Sequence, residues 1–320
     1  MPLTNPGRPA GSRVAGWGHY QPGTVLTNDD LLARGLDSND EWIRSRTGIV
    51  SRRICTDESL IDLAERAALD ALANAKVPAA DIDLVIFATC TALTPIPSGA
   101  AEIATRLGID SPGAYDLNAA CAGFVYAIST ASDAVLAGKA RQVLVVGAEK
   151  FTDWLDWTDR STAILFADGA GAAVVSASDS TGIGPIVWGS DGRGAQAIRI
   201  DLDTERIAQD GQTVYRWATS MMGDVAIAAC KEAGIEPSDL AAFVPHQANL
   251  RIIEIIARQL NATNAVIARD VVTSGNTSAA SIPLALSKLL ATGSLPANSP
   301  VLILGFGAGL TYAGQVLLTP

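Results

Sequence analysis

The chain has 320 residues, 48% of them hydrophobic and 18% charged, a length typical of two domains of ordinary size. Its net charge of −10 at pH 7 excludes a broad electrostatic affinity for nucleic acid. Apolar runs free of charge all fall short of the roughly 18 residues that a membrane-spanning helix needs, so we expect no membrane span.

The cysteines are scattered, without CxxC spacing or nearby histidine pairs, at Cys55, Cys90, Cys121 and Cys230. This spacing argues against a zinc site and against a disulfide framework. A reducing, cytoplasmic setting fits such thiols best. Histidine is scarce, since the sequence holds only His19 and His246.

The first segment, residues 1–12, is polar and rich in Pro and Gly, which predicts a disordered tail. A short strand is expected from residue 13 to Tyr20, and Asn28 marks a helix start. The following charged stretch brings together one tryptophan and four arginines, namely Trp42, Arg44, Arg46, Arg52 and Arg53. A solvated loop is the plain interpretation. The alternative is a surface where the ring stacks on a flat base and guanidinium groups bind phosphates.

Helices and strands then alternate along the chain. The apolar pattern predicts helices at 59–75 and 100–107, strands at 83–89, 114–117 and 142–150, and a helix that contains Cys121. This β-α-β-α-β order with continuous apolar strands is typical of a parallel sheet covered on both faces.

The next residues, 151–178, carry Arg160 and end in a predicted Gly- and Ala-rich pair of strands. A linker rich in Ser, Gly and Pro follows and divides the chain into two halves, 13–178 and 179–320. The polar span 190–212 is expected to be a loop or an edge strand.

The second half repeats the first. The matching segments are 83–90 with 239–246, 103–108 with 256–261, 121–138 with 276–293, and 143–148 with 301–306. Their offsets stay between 153 and 158 residues over four successive elements, so chance is a poor explanation. We therefore expect two copies of one α/β unit that face each other across a shared interface.

Cys121 stands at the start of a helix whose small and apolar residues predict burial. The unsatisfied N–H groups and the positive end of the helix dipole should favour a thiolate there. The alternative is a free cysteine that only packs in the core. In the repeat, Asn276 takes the place of Cys121, and His246 ends the strand that matches the one ending near Cys90.

If the two copies dock along their sheets, Cys121, His246 and Asn276 converge on one site. A cysteine beside a histidine is the arrangement of a nucleophile that forms a thioester. The amide of Asn276 and a neutral imidazole of His246 can donate to a developing enolate oxygen. For His246 the alternative is a histidine satisfied within the core.

Five separated motifs carry a resemblance to a known family. They are DEWIRSRTGI around Trp42, AACAGF around Cys121, VPHQANLRI around His246, GNTSAASIP around Asn276, and GFGAG at 305–309. Together the motifs resemble β-ketoacyl-acyl-carrier-protein synthase III of the thiolase superfamily. The resemblance implies a five-layer αβαβα sandwich of two duplicated halves, usually a homodimer, and fatty-acid biosynthesis as the setting.

The resemblance also implies the chemistry. A short acyl-CoA acylates Cys121, and malonyl-acyl-carrier protein then loses carbon dioxide while His246 and Asn276 stabilise the enolate. The carbanion attacks the thioester, and β-ketoacyl-carrier protein leaves. The backbone N–H of Cys121 and one from the turn at Gly307 and Ala308 form the second oxyanion hole. No metal and no redox cofactor is expected.

Substrate contacts follow from the same resemblance. Trp42 and Arg160 would hold the adenine of CoA between them, Arg46 would reach its phosphates, Asn249 the pantetheine, and Phe306 would shield the His–Asn pair. The basic residues expected to dock carrier protein are Arg216, Arg251 and Arg258. The sequence departs from commoner members at Ala308, where a third glycine is frequent, and at Gln259, where a basic residue is frequent. Residues 91–97 are expected to help shape the acyl pocket.

Other functions fit less well. An elongating ketosynthase needs a second catalytic histidine, and His19 lies far upstream; a biosynthetic thiolase needs a second cysteine near the GFGAG turn. Hydroxymethylglutaryl-CoA synthase needs an acidic residue for which Glu102 and Glu149 are weak candidates. The GFGAGL stretch lacks the third glycine of a dinucleotide site. A silent scaffold subunit typically loses the cysteine. The main alternative is a condensing enzyme or acyltransferase of specialised metabolism with the same triad.

Overall fold

The computed structural model describes residues 7–320. The first half forms β1 (Gly11–Tyr20), β2 (Thr24–Thr27), α1 (Asn28–Ala33), α2 (Asp40–Thr47), β3 (Ser51–Ile54), α3 (Leu60–Ala75), β4 (Leu84–Ala88), α4 (Gly99–Arg106), β5 (Gly113–Leu117), α5 (Gly123–Leu136), β6 (Gln142–Lys150) and β7 (Asp168–Ser178). The predicted tail of residues 1–12 lies in part outside the described residues, and β1 already begins at Gly11.

The second half forms β8 (Ile183–Ser190), β9 (Ile198–Asp201), β10 (Arg206–Gln209), α6 (Gly211–Glu232), β11 (Ala242–Pro245), α7 (Leu250–Leu260), β12 (Val266–Ile267), α8 (Val271–Ser274), α9 (Ser281–Ala291), β13 (Pro300–Gly307) and β14 (Thr311–Leu318). Across residues 7–320, no helix is long and apolar enough to cross a membrane.

Two five-stranded sheets with the same strand order organise the described chain. The first runs β1-β7-β6-β4-β5, and the second runs β8-β14-β13-β11-β12. In both, the three strands at one end are parallel, and the remaining two are antiparallel to their neighbours. Each sheet is therefore mixed, whereas the sequence pattern predicted a parallel one.

Helices lie on both faces of each sheet. α3 and α4 cover the outer face of the first sheet, and α6 and α7 cover the outer face of the second. α5 and α9 lie between the sheets and share one continuous apolar core with both. This is the predicted five-layer αβαβα sandwich, which the structure confirms.

Small residues determine how closely the central layer approaches the sheets. A Cβ added to Gly171 of β7 would lie 2.6 Å from the backbone nitrogen of Leu284 in α9. The Gly- and Ala-rich stretch is therefore one continuous strand, β7, and the predicted pair of strands is wrong. Its small residues allow close packing against α9.

The charged stretch around Trp42 is not a loop. Asn39 caps α2 by accepting a hydrogen bond from the Trp42 N–H, and Gly48 ends the helix in the left-handed conformation at φ 78°. β3 then carries Arg52 into the core, where its guanidinium donates to Asn28 and to the Ile164 carbonyl at 2.9 Å. Solvation is thus the wrong interpretation for Arg52.

Candidate active site

Cys121 lies at the interface of the two halves. It occupies a single 3-10 turn, Ala120–Ala122, and α5 begins two residues later. Its side chain is 7% exposed and lies against Gly307 of β13, where an added Cβ would come within 2.8 Å of the sulfur. The close approach of β13 explains why glycine stands at 307.

The expected thiolate is wrong for the resting protein. The pKa of Cys121 is raised to about 11, mainly by burial and to a smaller extent by the charge of Glu149. The Ser278 hydroxyl and the backbone N–H groups of Ala308 and Cys121 act in the opposite direction, but they are outweighed. Desolvation in this enclosed position exceeds the effect of the helix start, so the thiol form dominates at neutral pH.

Glu149, at the end of β6, is a fully buried carboxylate beside this site. It accepts hydrogen bonds from the hydroxyls of Thr89 and Thr91 at 3.0 and 2.6 Å. The N–H groups of Cys90 and Ala279 donate to it at 3.1 and 3.4 Å, and the Cys90 thiol donates at 3.2 Å. These donors stabilise the ionised form, but burial outweighs them and raises the pKa of Glu149 above its usual value.

His246 follows β11 and is 2% exposed. Its Nδ1 lies 2.7 Å from Oγ of Ser281, the first residue of α9. Burial lowers the pKa of His246 to about 3, so the imidazole is neutral at physiological pH. Phe306 meets the ring edge-on, with the ring centroids 5.4 Å apart.

Asn276 precedes the turn that leads into α9. Its backbone pairs with the segment before β7, since its N–H donates to Leu165 and its carbonyl accepts from Ala167, both at 2.9 Å. Its side-chain Oδ1 accepts from the Ser278 N–H at 2.8 Å. This bond fixes the amide orientation and leaves the Nδ2 hydrogens for the cavity.

The structural repeat pairs Asn276 with Asn118, so its predicted match with Cys121 is wrong. Oδ1 of Asn118 accepts from the Ala120 N–H at 3.1 Å, and Ala120 and Ser278 have φ of 47° and 46°. Strand registers agree, because Leu84 pairs with Val143 as Ala242 pairs with Val301, each 158 residues later. His246 consequently matches Ala88 at the end of β4, so the predicted match of the two strands is confirmed, with a register that differs by two residues from the predicted one.

One cavity of about 930 Å³ opens at this interface. Of the residues that the sequence singled out, it is lined by Trp42, Arg46, Cys121, Arg160, Arg216, His246, Asn249, Arg251, Asn276, Phe306, Gly307 and Ala308. Ser278, Asn118 and Cys90 also line it. Arg258 does not line the cavity and lies exposed on α7, two turns beyond Arg251.

Trp42 and Arg160 already contact each other. The guanidinium of Arg160 lies 5.1 Å from the centroid of the Trp42 ring, and that of Arg46 lies 5.9 Å from it. A flat base held between two such groups needs about 7 Å, twice a van der Waals contact. Arg160 is exposed and has room to move away from the ring.

Asn249 and Arg251 have defined partners at the cavity wall. Asn249 caps α7 by accepting from the Arg251 N–H at 2.9 Å, and its Nδ2 donates to the Arg46 carbonyl at 3.0 Å. Arg251 stacks over Tyr215, 5.2 Å from the ring centroid. Gln259 donates to the Thr219 carbonyl at 2.8 Å, so this side chain joins α7 to α6.

Sequence reasoning missed two serines and undervalued one acid. Ser278 and Ser281 both belong to the GNTSAASIP motif, but their partners, Cys90 and His246, are distant in the sequence. Glu149 was weighed only as an acid or base of a different enzyme. Across residues 7–320, no three His, Cys, Asp or Glu side chains are grouped as a metal ion requires, and all four cysteines are free.

Comparisons with known proteins identify the family. The two parts of the 3-oxoacyl-[acyl-carrier-protein] synthase III model match residues 115–192 and 230–319. The chain is 55% identical to beta-ketoacyl-[acyl-carrier-protein] synthase III 4 of Streptomyces coelicolor, over 97% of this chain and 99% of that protein. It is 46% identical to the mycobacterial synthase III of Mycobacterium avium, over 95% and 94%.

Solved structures agree. The priming beta-ketosynthase of a polyketide pathway superposes with a TM-score of 0.96 at 44% identity, covering 100% of this chain and 99% of that one. The synthase III of Aquifex aeolicus gives 0.91 at 37% identity, covering 96% and 100%. Fold and sequence thus define a thiolase-like condensing enzyme, an acyltransferase. The chain belongs to the 3-oxoacyl-[acyl-carrier-protein] synthase III family, which confirms the resemblance carried by the five motifs.

Proposed function

We propose that the protein joins a short acyl group, delivered by CoA, to malonyl-acyl-carrier protein in the decarboxylative condensation that starts fatty-acid biosynthesis. Cys121, His246 and Asn276 are the proposed catalytic residues. The observation that carries this is the single cavity that holds a buried thiol, a neutral imidazole and an oriented amide.

In the first step, the Cys121 sulfur attacks the acyl-CoA carbonyl. A C–S bond forms, the bond to CoA breaks, and the thiol proton leaves with the CoA sulfur. The N–H groups of Cys121 and Ala308, which both lower the pKa of the cysteine thiol, would stabilise the tetrahedral oxyanion. Because the thiolate is the nucleophilic form, the Cys121 thiol has to lose its proton as the C–S bond forms.

In the second step, malonyl-carrier protein loses carbon dioxide. The electron pair of the breaking C–C bond forms an enolate, whose oxygen is stabilised by N–H donors from His246 and Asn276. Because the pKa of His246 is so low, its role is that of a neutral donor. The carbanion then attacks the acyl-Cys121 carbonyl, the C–S bond breaks, and the cysteine recovers a proton. The reaction as written uses no metal and no redox cofactor.

Substrates reach Cys121 from the open end of the cavity. We assign Trp42, Arg46 and Arg160 to CoA, with Arg160 moving aside to admit the base. Arg216 and Arg251 line the cavity and are the proposed docking residues, and Arg258 would extend this patch along α7. Asn249 would accept from the pantetheine, since its Nδ2 is committed to α2. Phe306 would shield His246.

A homodimer in the cytoplasm is the proposed working form. β5 is an edge strand of the first sheet, and Tyr115 on it is exposed. The nearby 91–97 loop presents Leu93 and Ile96, which are 69% and 80% exposed. A second copy would cover this apolar edge. The reducing cytoplasm would keep Cys121 as the thiol that the reaction requires.

Mass spectrometry of the intact protein with a panel of acyl-CoAs tests the proposal. We expect one acyl adduct on Cys121, which a chase with malonyl-carrier protein discharges as β-ketoacyl product. Cys121→Ser should form no thioester, while Cys55→Ser, which changes a thiol outside the cavity, should behave as wild type. His246→Ala and Asn276→Ala should acylate but not discharge. Loss of acylation alone in those two variants would reverse the assigned roles.

One observation favours a second setting for the same chemistry. The high structural similarity to a priming ketosynthase of a polyketide pathway points to specialised metabolism as the alternative. The same chase performed with fatty-acid and polyketide carrier proteins separates the two, since preferential discharge to the polyketide carrier protein would favour the alternative.

A further inference from the structure

Ser281 is buried at the first position of α9, with 1% of its surface exposed. Two groups contact its hydroxyl oxygen. One is Nδ1 of His246 at 2.7 Å, and the other is the backbone N–H of Gln247 at 3.2 Å. Within residues 7–320 these are its hydrogen-bond partners.

A hydroxyl has one hydrogen to donate and two lone pairs that accept. The Gln247 N–H can only donate, so it occupies one lone pair of Ser281. If Nδ1 of His246 also carried a proton, the oxygen would accept twice and its own hydrogen would be buried without an acceptor. Such an unsatisfied group is costly in a core. The hydroxyl therefore donates to a bare Nδ1.

The neutral imidazole carries one proton, so a bare Nδ1 places it on Nε2. Nδ1 faces α9, which leaves Nε2 as the ring nitrogen for the cavity that His246 lines. The backbone around the ring supports this orientation, because the His246 N–H donates to the Leu304 carbonyl at 2.7 Å. Gln247 is likewise held, with its Nε2 donating to Pro245 at 2.7 Å.

We propose that Ser281 is a positioning residue that fixes the tautomer of His246, so that Nε2 presents its proton to the cavity. Only the purpose of this tautomer rests on the proposed function, in which the Nε2 proton is donated to the enolate oxygen. Ser281 itself touches no reacting atom.

The chain offers a matched control within the same helix. Ser287 is also buried on α9, and its Oγ lies 2.9 Å from Nδ1 of His19, the other histidine of the sequence. His19 does not line the cavity. Ser287→Ala thus removes the same group from a serine beside a histidine that the reaction does not use.

Nitrogen-15 NMR of histidine-labelled protein tests the tautomer directly, because long-range proton–nitrogen correlations differ between the two neutral forms. With two histidines in the chain, His19→Gln suffices to assign His246. We expect the Nε2–H form in the wild type, a substantial Nδ1–H population in Ser281→Ala, and no change at His246 in Ser287→Ala. Ser281→Cys has a side chain of similar size but a weaker donor, so its Nδ1–H population should be intermediate. This variant also tests the inference if Ser281→Ala does not fold.

Kinetics provide the second readout. We expect Ser281→Ala to acylate Cys121 at the rate of Ser287→Ala but to decarboxylate malonyl-carrier protein about tenfold more slowly, with the loss in kcat and not in KM. A wild-type Nδ1–H tautomer, or an unchanged Nε2–H population in the Ser281 variants, would overturn the inference. Failure of the proposed function would appear separately, as a wild-type protein with the expected tautomer and no condensation.

Discussion

Gly307→Ala is a substitution whose effect can be worked out from the distances around Cys121. The φ of Gly307 is 173°, an extended conformation that alanine adopts without strain. Only space opposes the methyl group, which would lie 2.7 Å from the Cβ of Cys121 and 2.8 Å from its sulfur. An ordinary contact begins at 3.4 Å, so the nucleophile and the strand must separate by about 0.7 Å.

The size of the effect follows from that separation. Misplacing a reacting group by about 1 Å can cost about 10²-fold in rate, so a shift of this size should slow acylation at least about tenfold. That corresponds to about 1.4 kcal/mol in the activation free energy. Overpacking of a well-filled core also lowers the free energy of unfolding, by about 1–3 kcal/mol.

The assay is the rate at which acyl-CoA modifies Cys121, followed by mass spectrometry under single-turnover conditions. Gly192→Ala is the control, because a Cβ at Gly192 meets no described atom within 4 Å. Its acylation rate should equal that of the wild type. If Gly307→Ala acylated as fast as Gly192→Ala while folding normally, the close contact between β13 and the nucleophile would be refuted as a determinant of its position.

Three further predictions concern charge. With the pKa of Cys121 at about 11, the rate of its alkylation by iodoacetamide should rise about tenfold per pH unit from pH 7 to 9, and a plateau by pH 8 would contradict this. Glu149→Gln should lower that pKa, and an unchanged pH profile in this variant would exclude the effect of the Glu149 charge. Because the folded-state pKa of His246 lies near 3 and the unfolded value near 6.5, unfolded chains bind the extra proton between these values, and the free energy of unfolding falls with falling pH. Denaturant titrations of His246→Gln should therefore show a shallower acid dependence than the wild type, and equal slopes would exclude this origin. Charge reversal in Arg251→Glu should raise KM for malonyl-carrier protein more than for acyl-CoA, whereas equal increases would remove this residue from docking.

Much of the fold could be predicted because its strands are continuous apolar runs and its two halves repeat. β4, β6 and β13 all lie where apolar segments predicted them, and the duplicated unit led directly to a shared interface. The repeat was misaligned at Asn276 because the two turns differ in side-chain chemistry. Their common feature is a backbone conformation, namely a left-handed residue two positions after an asparagine, and the amino-acid sequence alone does not reveal it.

Other features of the site depend on contacts that only the folded chain brings together. The thiolate expected at Cys121 followed from a local rule about helix starts, whereas burial between the two sheets dominates the pKa and Glu149 makes a smaller contribution. Arg52 looked like a surface charge because its partners, Asn28 and the Ile164 carbonyl, are distant in sequence. The sequence assigned no role to Ser281, because its contact with His246 depends on the position of α9 in the fold.

In the turns at Asn118 and Asn276, the two ends of the side-chain amide have different roles. At both Asn118 and Asn276, the side-chain oxygen closes a tight turn before a central helix, so each half needs an acceptor there for architecture alone. The nitrogen end has no part in that closure. Replacing Asn276 by aspartate would keep the acceptor and remove the donor, separating the folding requirement from the proposed chemistry within one side chain. The duplicated turn thus supplies both halves with a spare N–H group, and the half that carries His246 is the one where we propose that it is used.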